Sequence, residues 1–216
     1  MTNNFSKPNP KQIFFSTSNQ GKLNEVKKLA SKYGIEIISP ADLGIEIDVV
    51  EDGVTFKENA AKKVESYQKE IGRSDLYIIG DDSGLEISIL DNKPGVFSRR
   101  WAGYEMTDEE LRDYCLDQMK GMKGDDRRAV MKTTIALGKS GEDMIYFDGE
   151  LRGLILEKLD DAASVSGLAF SPIFYVPDVS ESLINLQAKT LEERNGFMTH
   201  RERALAKLFE YLNQVV

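Results

Sequence analysis

The chain of 216 residues has the length of one domain, and its 41% apolar and 30% charged residues are the proportions of a folded globular protein. A net charge of −8 works against non-specific attraction to a nucleic-acid backbone, so no nucleic-acid partner is expected. An anionic ligand would need locally gathered cations, or a metal, to overcome that field.

Taken in order, residues 1–10 are polar, lack the apolar run of a signal peptide and are expected to form a disordered tail. A first strand is predicted over 13–16, after which Leu23, Val26, Ala30 and Tyr33, widened by Leu29, recur at helical spacing. A second strand follows at 35–39, and Ile45, Ile47 and Val49 then alternate with acidic neighbours as a half-buried strand does. Thr55 and Glu58 have the spacing of a capping box, so a helix should start at Phe56 with Ala60, Val64, Tyr67 and Ile71 on its apolar side. Residues 76–80 read as a short apolar strand that stops at Asp81-Asp82, and a strand resumes over 85–90 until the turn at 91–95.

Thr107 and Glu110 make a second capping box before a helix to about Met122. Its Cys115, the only cysteine, cannot form an internal disulfide and reads as core beside Leu111, Tyr114 and Met119. Long strands over 129–137 and 144–151 should form a hairpin closed near 139–142, followed by a loop over 160–171 and a brief strand over 173–176. Thr199 and Glu202 open a final helix with Ala204, Leu205, Leu208, Leu212 and Val215 on one side. No stretch reaches membrane-spanning length, so a cytoplasmic protein with no membrane partner is expected. Early alternation of strands and helices with later hairpin strands predicts an α/β fold. It has a mixed central sheet flanked by helices, built as one two-lobed domain over 11–216 with the active site in the cleft between the lobes.

Several segments have the chemistry to hold phosphate. Thr17-Ser18-Asn19-Gln20-Gly21-Lys22 lies between the first strand and helix, where backbone N–H groups and small polar side chains can cradle an anion. Ser18 or Asn19 would equally serve as an ordinary N-cap, but Lys22 places a cation in a first turn, against the helix dipole, which a nearby anion would explain. His200 and Arg201 repeat that arrangement in the first turn of the last helix, with a surface pairing to Glu192 or Glu193 as the alternative. Asp81 and Asp82 sit at a predicted strand end, pointing to opposite faces, so one suits Mg²⁺ while the other orients water or a partner. Glu51 and Asp52 precede the Thr55 cap, and Lys63 falls within the apolar side of its helix one turn after Asn59, either snorkelling or facing a cleft. Phe97, Trp101, Phe170, Phe174 and Tyr175 are stacking candidates, though aromatics are usually core.

Together these segments resemble the Ham1-like family, the inosine triphosphate pyrophosphatases that remove non-standard purine nucleotides. Thr17–Lys22 is similar to its T-x-N-x-x-K element, with Glu25 following; 51–63 resembles the acidic-G-x-T-F-x-E-N-A element with its trailing lysine; and 80–85 resembles D-D-S-G-L. Residues 94–101 resemble P-G-x-[YF]-S-x-R-[YFW], and 167–174 with Thr199-His200-Arg201 resemble the late elements. The resemblance implies a homodimer that converts a nucleoside triphosphate, of the ITP, XTP or dITP kind, to monophosphate and pyrophosphate. It implies that Thr17, Ser18, Asn19, Gln20, Gly21 and Lys22 hold the triphosphate. Glu51 and Asp82 would bind Mg²⁺ with Asp81 in support, Asp82 would accept a proton, and Lys63 would be the active-site lysine. Ser83, His200 and Arg201 would contact the nucleotide. Three departures fall on the base side: Leu168-Ala169-Phe170-Ser171-Pro172 replaces G-x-G-[FY]-D-P, so that Ser171 stands for an aspartate; Arg194 stands for a lysine before an inserted residue near Gly196-Phe197; and Thr199 stands for a serine. These changes motivate two alternatives, a shifted base preference and a sensor that binds nucleotide without cleaving it.

Overall fold

The structure, a computed structural model, describes residues 11–160 and 167–215; the expected tail over 1–10 and part of the expected loop, 161–166, lie outside them. An eight-stranded mixed sheet forms the centre, in the order β2-β1-β3-β5-β6-β7-β8 with β4 on β3. β1 (Lys11–Phe15) lies parallel to β2 (Ile35–Ile38) and to β3 (Tyr77–Ile87), with α1 (Gln20–Ala30) and α2 (Phe56–Ile71) in the two connections. β5 (Arg128–Gly138) and β6 (Ile145–Ile155) form the expected hairpin, and β5 runs antiparallel to nearly all of β3. β4 (Lys93–Gly95), β7 (Phe174–Val176) and β8 (Glu181–Ser182) are short additions, while α3 (Asp108–Gln118), α4 (Leu183–Ala188) and α5 (His200–Val215) complete the chain. Among the described residues no helix is long and apolar enough to cross a membrane.

The helix starts follow their caps. Thr55 Oγ1 accepts from the Glu58 N–H at 3.1 Å while Glu58 returns a bond to the Thr55 N–H at 3.2 Å. The same reciprocal pairs form at Thr107 with Glu110 and at Thr199 with Glu202. Two glycines let helices lie directly on the sheet: a Cβ at Gly80 would come 2.2 Å from the Ala60 carbonyl oxygen, and one at Gly149 would come 2.0 Å from that of His200. The apolar core divides into three clusters: α1 and α5 with one sheet face, α2 with the other, and α3 with β7 and α4 at the far end of the long strands.

The strand expected to end at Gly80 does not end there. Every residue from Gly80 to Gly84 has a partner in β5, from Gly80↔Ala136 to Gly84↔Lys132, and this ladder carries the backbone through a stretch that reads as a turn. Its opposite edge behaves differently: β1 pairs only as far as Ile79, and β4 only from Leu85. The two aspartates therefore lie in a notch in the sheet, not at a strand end. A second expectation fails at 45–49, which forms no strand. Ile45, Ile47 and Val49 pack against the α2 cluster while Glu46 and Asp48 face solvent, so the alternation reflects burial without a pairing partner. The helix expected to reach Met122 ends at Gln118, and α4 was not foreseen.

Candidate active site

The notch opens into a cleft of about 320 Å³ lined from the start of α1, the segment 47–51, α2, β3, β5, the segment 167–171 and the start of α5. On the α1/α5 face Asp81 is the hub. Its carboxylate, 1% exposed, is paired with the Lys22 ammonium and accepts from Arg201 Nε at 3.0 Å and from Ser83 Oγ at 3.0 Å. Arg201 also pairs with Glu25 and donates to Ser83 Oγ at 3.1 Å, and Ser83 Oγ lies 2.7 Å from Thr133 Oγ1. Burial alone would raise the Asp81 carboxyl, but the Lys22 and Arg201 charges outweigh it and hold the group well below the usual carboxylate range. The cations at both helix starts are thus answered by the chain's own carboxylates, Asp81 and Glu25, and not by Glu192 or Glu193.

On the α2 face Asp82 accepts from Asn59 Nδ2 at 3.2 Å, and Asn59 Oδ1 in turn accepts from the Gly53 N–H at 2.8 Å. Lys63 faces the cleft: its Nζ lies 2.7 Å from Glu51 Oε2 and 3.7 Å from Asp82 Oδ1, and donates to the Asp81 carbonyl at 2.9 Å. Desolvation pushes Asp82 above its ordinary value, against the pull of Lys63 and Lys22. Desolvation opposes the charge on Lys63 as well, but Asp82 and Glu51 overcome it and keep the ammonium protonated.

Thr17, Ser18, Asn19 and Lys22 line the cleft; Gln20 and Gly21 do not, serving as the first residues of α1. Asn19 caps that helix by accepting from the Lys22 N–H at 3.0 Å, and its Nδ2 donates to the Gly167 carbonyl at 3.0 Å. Gly167 N–H donates to Asp108 Oδ2 at 2.6 Å, so the 167–171 segment is tied both to α1 and to the first residue of α3. Leu168, Ala169, Phe170 and Ser171 all reach the cleft, beside Leu111 and Met131. His200 lines it too, 1% exposed, with neither ring nitrogen partnered.

Arg194 is placed elsewhere. It is buried, with its guanidinium forked onto both oxygens of Glu202, one of them at 2.7 Å, and it does not line the cleft. Sequence reasoning gave no role to Glu25, Thr133, Asp108, Leu111 or Met131. Glu25 carried a usable signal, an acid three residues after Lys22 and hence on the same side of α1.

The family model of the Ham1 family matches residues 13–211. The chain is similar to the dITP/XTP pyrophosphatase of Clostridium perfringens (strain 13 / Type A), with 34% identity over 209 residues, 95% of this chain and 99% of that protein. Among solved structures it is similar to a HAM1 protein from Coxiella burnetii, at 30% identity and a TM-score of 0.76, covering 94% of this chain and 99% of that one. The Staphylococcus aureus Ham1 protein matches at 30% identity and a TM-score of 0.74, covering 95% of this chain and all of the other. With the family model spanning nearly all of the sequence and the fold shared with solved members over most of the chain, this chain belongs to the Ham1 family.

Proposed function

We propose that the chain hydrolyses nucleoside triphosphates carrying a non-standard purine, of the ITP, XTP or dITP kind, to the monophosphate and pyrophosphate. The observation that carries this reading is the convergence of Lys22, Lys63 and Arg201, from three separate helices, on the notch that holds Asp81 and Asp82 and on the neighbouring Glu51. Three fixed cations suit a polyphosphate, and the relatives' names point to the same class of substrate.

Phosphoanhydride hydrolysis calls for a divalent cation, and Mg²⁺ fits the donors present. Among the described residues no three acidic, histidine or cysteine side chains form a ready-made cage, but Mg²⁺ is usually held by one or two carboxylates together with substrate phosphates. Glu51 and Asp82, flanking Lys63, are the two hard oxygen donors that would hold it, with Asp81, whose oxygens already bond Lys22, Arg201 and Ser83, in support. When bound, the ion would neutralise charge on the phosphates and lower the pKa of a coordinated water.

The chain's own residues supply the rest. Water attacks the α-phosphorus, an O–P bond forms, the bond to the bridging oxygen breaks, and pyrophosphate leaves. Asp82, its proton affinity raised by burial, takes the water's proton. Lys22 and Arg201, held side by side by Asp81, present donors to phosphate oxygens as they gain charge, and Lys63 does so from the α2 side. The same reading takes the protein as a cytoplasmic homodimer with no nucleic-acid partner, supported by the family resemblance and the net charge of −8.

The test is a substrate panel of ITP, XTP, dITP, dUTP, ATP and GTP with Mg²⁺, following products. Pyrophosphate and monophosphate from ITP, XTP and dITP, in preference to GTP, ATP and dUTP, support the proposal. Binding without product would make the chain a sensor, and orthophosphate would make it an ordinary phosphatase.

A further inference from the structure

Arg127 ends a short turn of helix, Gly124–Arg127, and leads directly into β5. It is 6% exposed and does not line the cleft. Asp125, two residues earlier, is paired with Arg128 at 2.6 Å, and the Arg127 guanidinium donates instead to four backbone carbonyls. Nη1 reaches Met119 and Met122 at 2.9 and 3.1 Å, Nη2 reaches Leu156 at 2.6 Å, and Nε reaches Ile155. Two of these carbonyls lie just past the C-terminal end of α3, where helix carbonyls carry partial negative charge, and two lie at the end of β6. A buried cation compensated by such dipoles adds little net stability over an apolar residue in the same core. What the guanidinium adds is geometry, because its planar fork of donors fixes both segments at one distance and angle.

Those two segments are the supports of one wall of the cleft. α3 is a rigid rod about 16 Å long, so any shift of its end reaches its first turn. That turn carries Leu111, which lines the cleft, and Asp108, which accepts from the Gly167 N–H. Beyond β6, the Leu156 N–H donates to the Ile173 carbonyl at 2.7 Å and the Asp160 N–H to the Pro172 carbonyl at 2.9 Å. The 168–173 turn is closed in its own right by Ser171 N–H on the Leu168 carbonyl and Ile173 N–H on the Phe170 carbonyl. The segment 167–171 is therefore held at its start through α3 and at its end through 156–160. Arg127 is the side chain that bonds both supports.

We propose that Arg127 is a positioning residue for the hydrolysis: by clamping the end of α3 to the end of β6 it fixes both supports of the 167–171 segment, and with them one wall of the cleft. The inference rests on the nucleotide reading above. Lys22, Lys63 and Arg201 are held by a separate set of contacts, through α1, α2, α5 and β3, none of which passes through Arg127. Releasing the clamp loosens the wall and leaves the cations where they are. A whole nucleotide then binds less well, while a ligand made of phosphates alone does not notice the change.

The experiment compares wild type, Arg127→Met and Arg127→Lys with the most rapidly hydrolysed triphosphate of the panel above, Mg²⁺ being in excess of all phosphates. Inhibition by inorganic triphosphate is measured alongside and reports on the cations alone. In both variants KM should rise by about tenfold, kcat should change by less than about threefold, and the inhibition constant should stay the same. Arg127→Lys keeps the charge without the fork, and serves alone if Arg127→Met does not fold. Amide exchange at Leu156 and Ile173 should quicken in the variants while that of α1 does not. Ile37→Ala, buried in β2 and away from the cleft, controls for lost stability and should leave KM unchanged. A KM within about twofold of wild type, a KM and inhibition constant that rise together, or an equal rise of KM in Ile37→Ala overturns the inference and leaves the pyrophosphatase reading standing. A wild type that releases no pyrophosphate from ITP, XTP or dITP overturns that reading, and the inference with it.

Discussion

Arg201 Nε donates to Asp81 Oδ2 at 3.0 Å, joining the first turn of α5 to the middle of β3 across 120 positions of sequence. Both groups are almost fully buried, at 3% and 1% side-chain exposure, and Lys22 shares the same carboxylate. Replacing Asp81 with asparagine removes one negative charge and leaves two cations with Glu25 alone. A buried pair broken on one side costs about 3–5 kcal/mol, so Asp81→Asn should be destabilised on that scale in urea denaturation. A loss below about 1 kcal/mol would show that water, not Asp81, compensates these cations.

Lys63 separates Glu51 from Asp82, and its charge is the largest influence holding the buried Asp82 carboxyl down. Lys63→Met should therefore raise the Asp82 pKa further and move the acid limb of kcat/KM to higher pH. Turnover should also fall by about 10²–10³-fold, the usual consequence of removing one fixed donor from a charged transition state. Lys63→Arg should restore the position of the acid limb. An acid limb that stays put in Lys63→Met would mean that Asp82 is not the group being protonated.

The helix starts were legible because caps are local: Thr55 with Glu58, Thr107 with Glu110 and Thr199 with Glu202 each signal within four residues, and each forms. The site was legible in part for the same reason, since cations placed against helix dipoles at Lys22 and Arg201 announce an anion nearby. What local pattern cannot reveal is which anion. Asp81 became the answer only because β5 pairs through Gly80–Gly84 and holds its side chain on the α1/α5 face. Likewise 45–49 has the alternation of a strand, but a strand needs a neighbour, and neighbours are set by the whole sheet. Arg194 shows the opposite limit: its place in a family-like segment suggests nucleotide contact, while Glu202, eight residues away, captures it.

Gly149 gives a test of how tightly α5 must lie on the sheet. A Cβ there would stand 2.0 Å from the His200 carbonyl oxygen and 2.8 Å from the Ala204 nitrogen, both backbone atoms that no rotamer change can move. Gly149→Ala should cost about 1–3 kcal/mol as an overpacked contact. Because the displaced turn carries His200 and Arg201, KM for the triphosphate should rise in the same variant. Unchanged stability with unchanged KM would show that α5 shifts freely, and that its first turn is not held in place by the sheet.

His200 is the only histidine in the chain, so titration between about pH 5.5 and 7 can be assigned to it. Burial, then Arg201, lowers its pKa well below the ordinary 6.5, so the folded protein resists a proton that the unfolded chain accepts. The unfolded state then binds more protons in this range, and stability rises with pH. The stabilisation is fully present above the unfolded value of 6.5 and is lost as pH falls toward the folded value, with a limiting slope of about 1.4 kcal/mol per pH unit. Asp82 acts in the opposite sense, since its raised carboxyl loses stabilisation as pH rises, so the difference between the wild type and His200→Gln isolates the imidazole. Urea midpoints measured across pH 5.5–7.5 should give a difference that shrinks as pH falls. A difference that is constant over that range would mean the imidazole takes up its proton in the folded protein as readily as in the unfolded one, and that His200 is open to solvent.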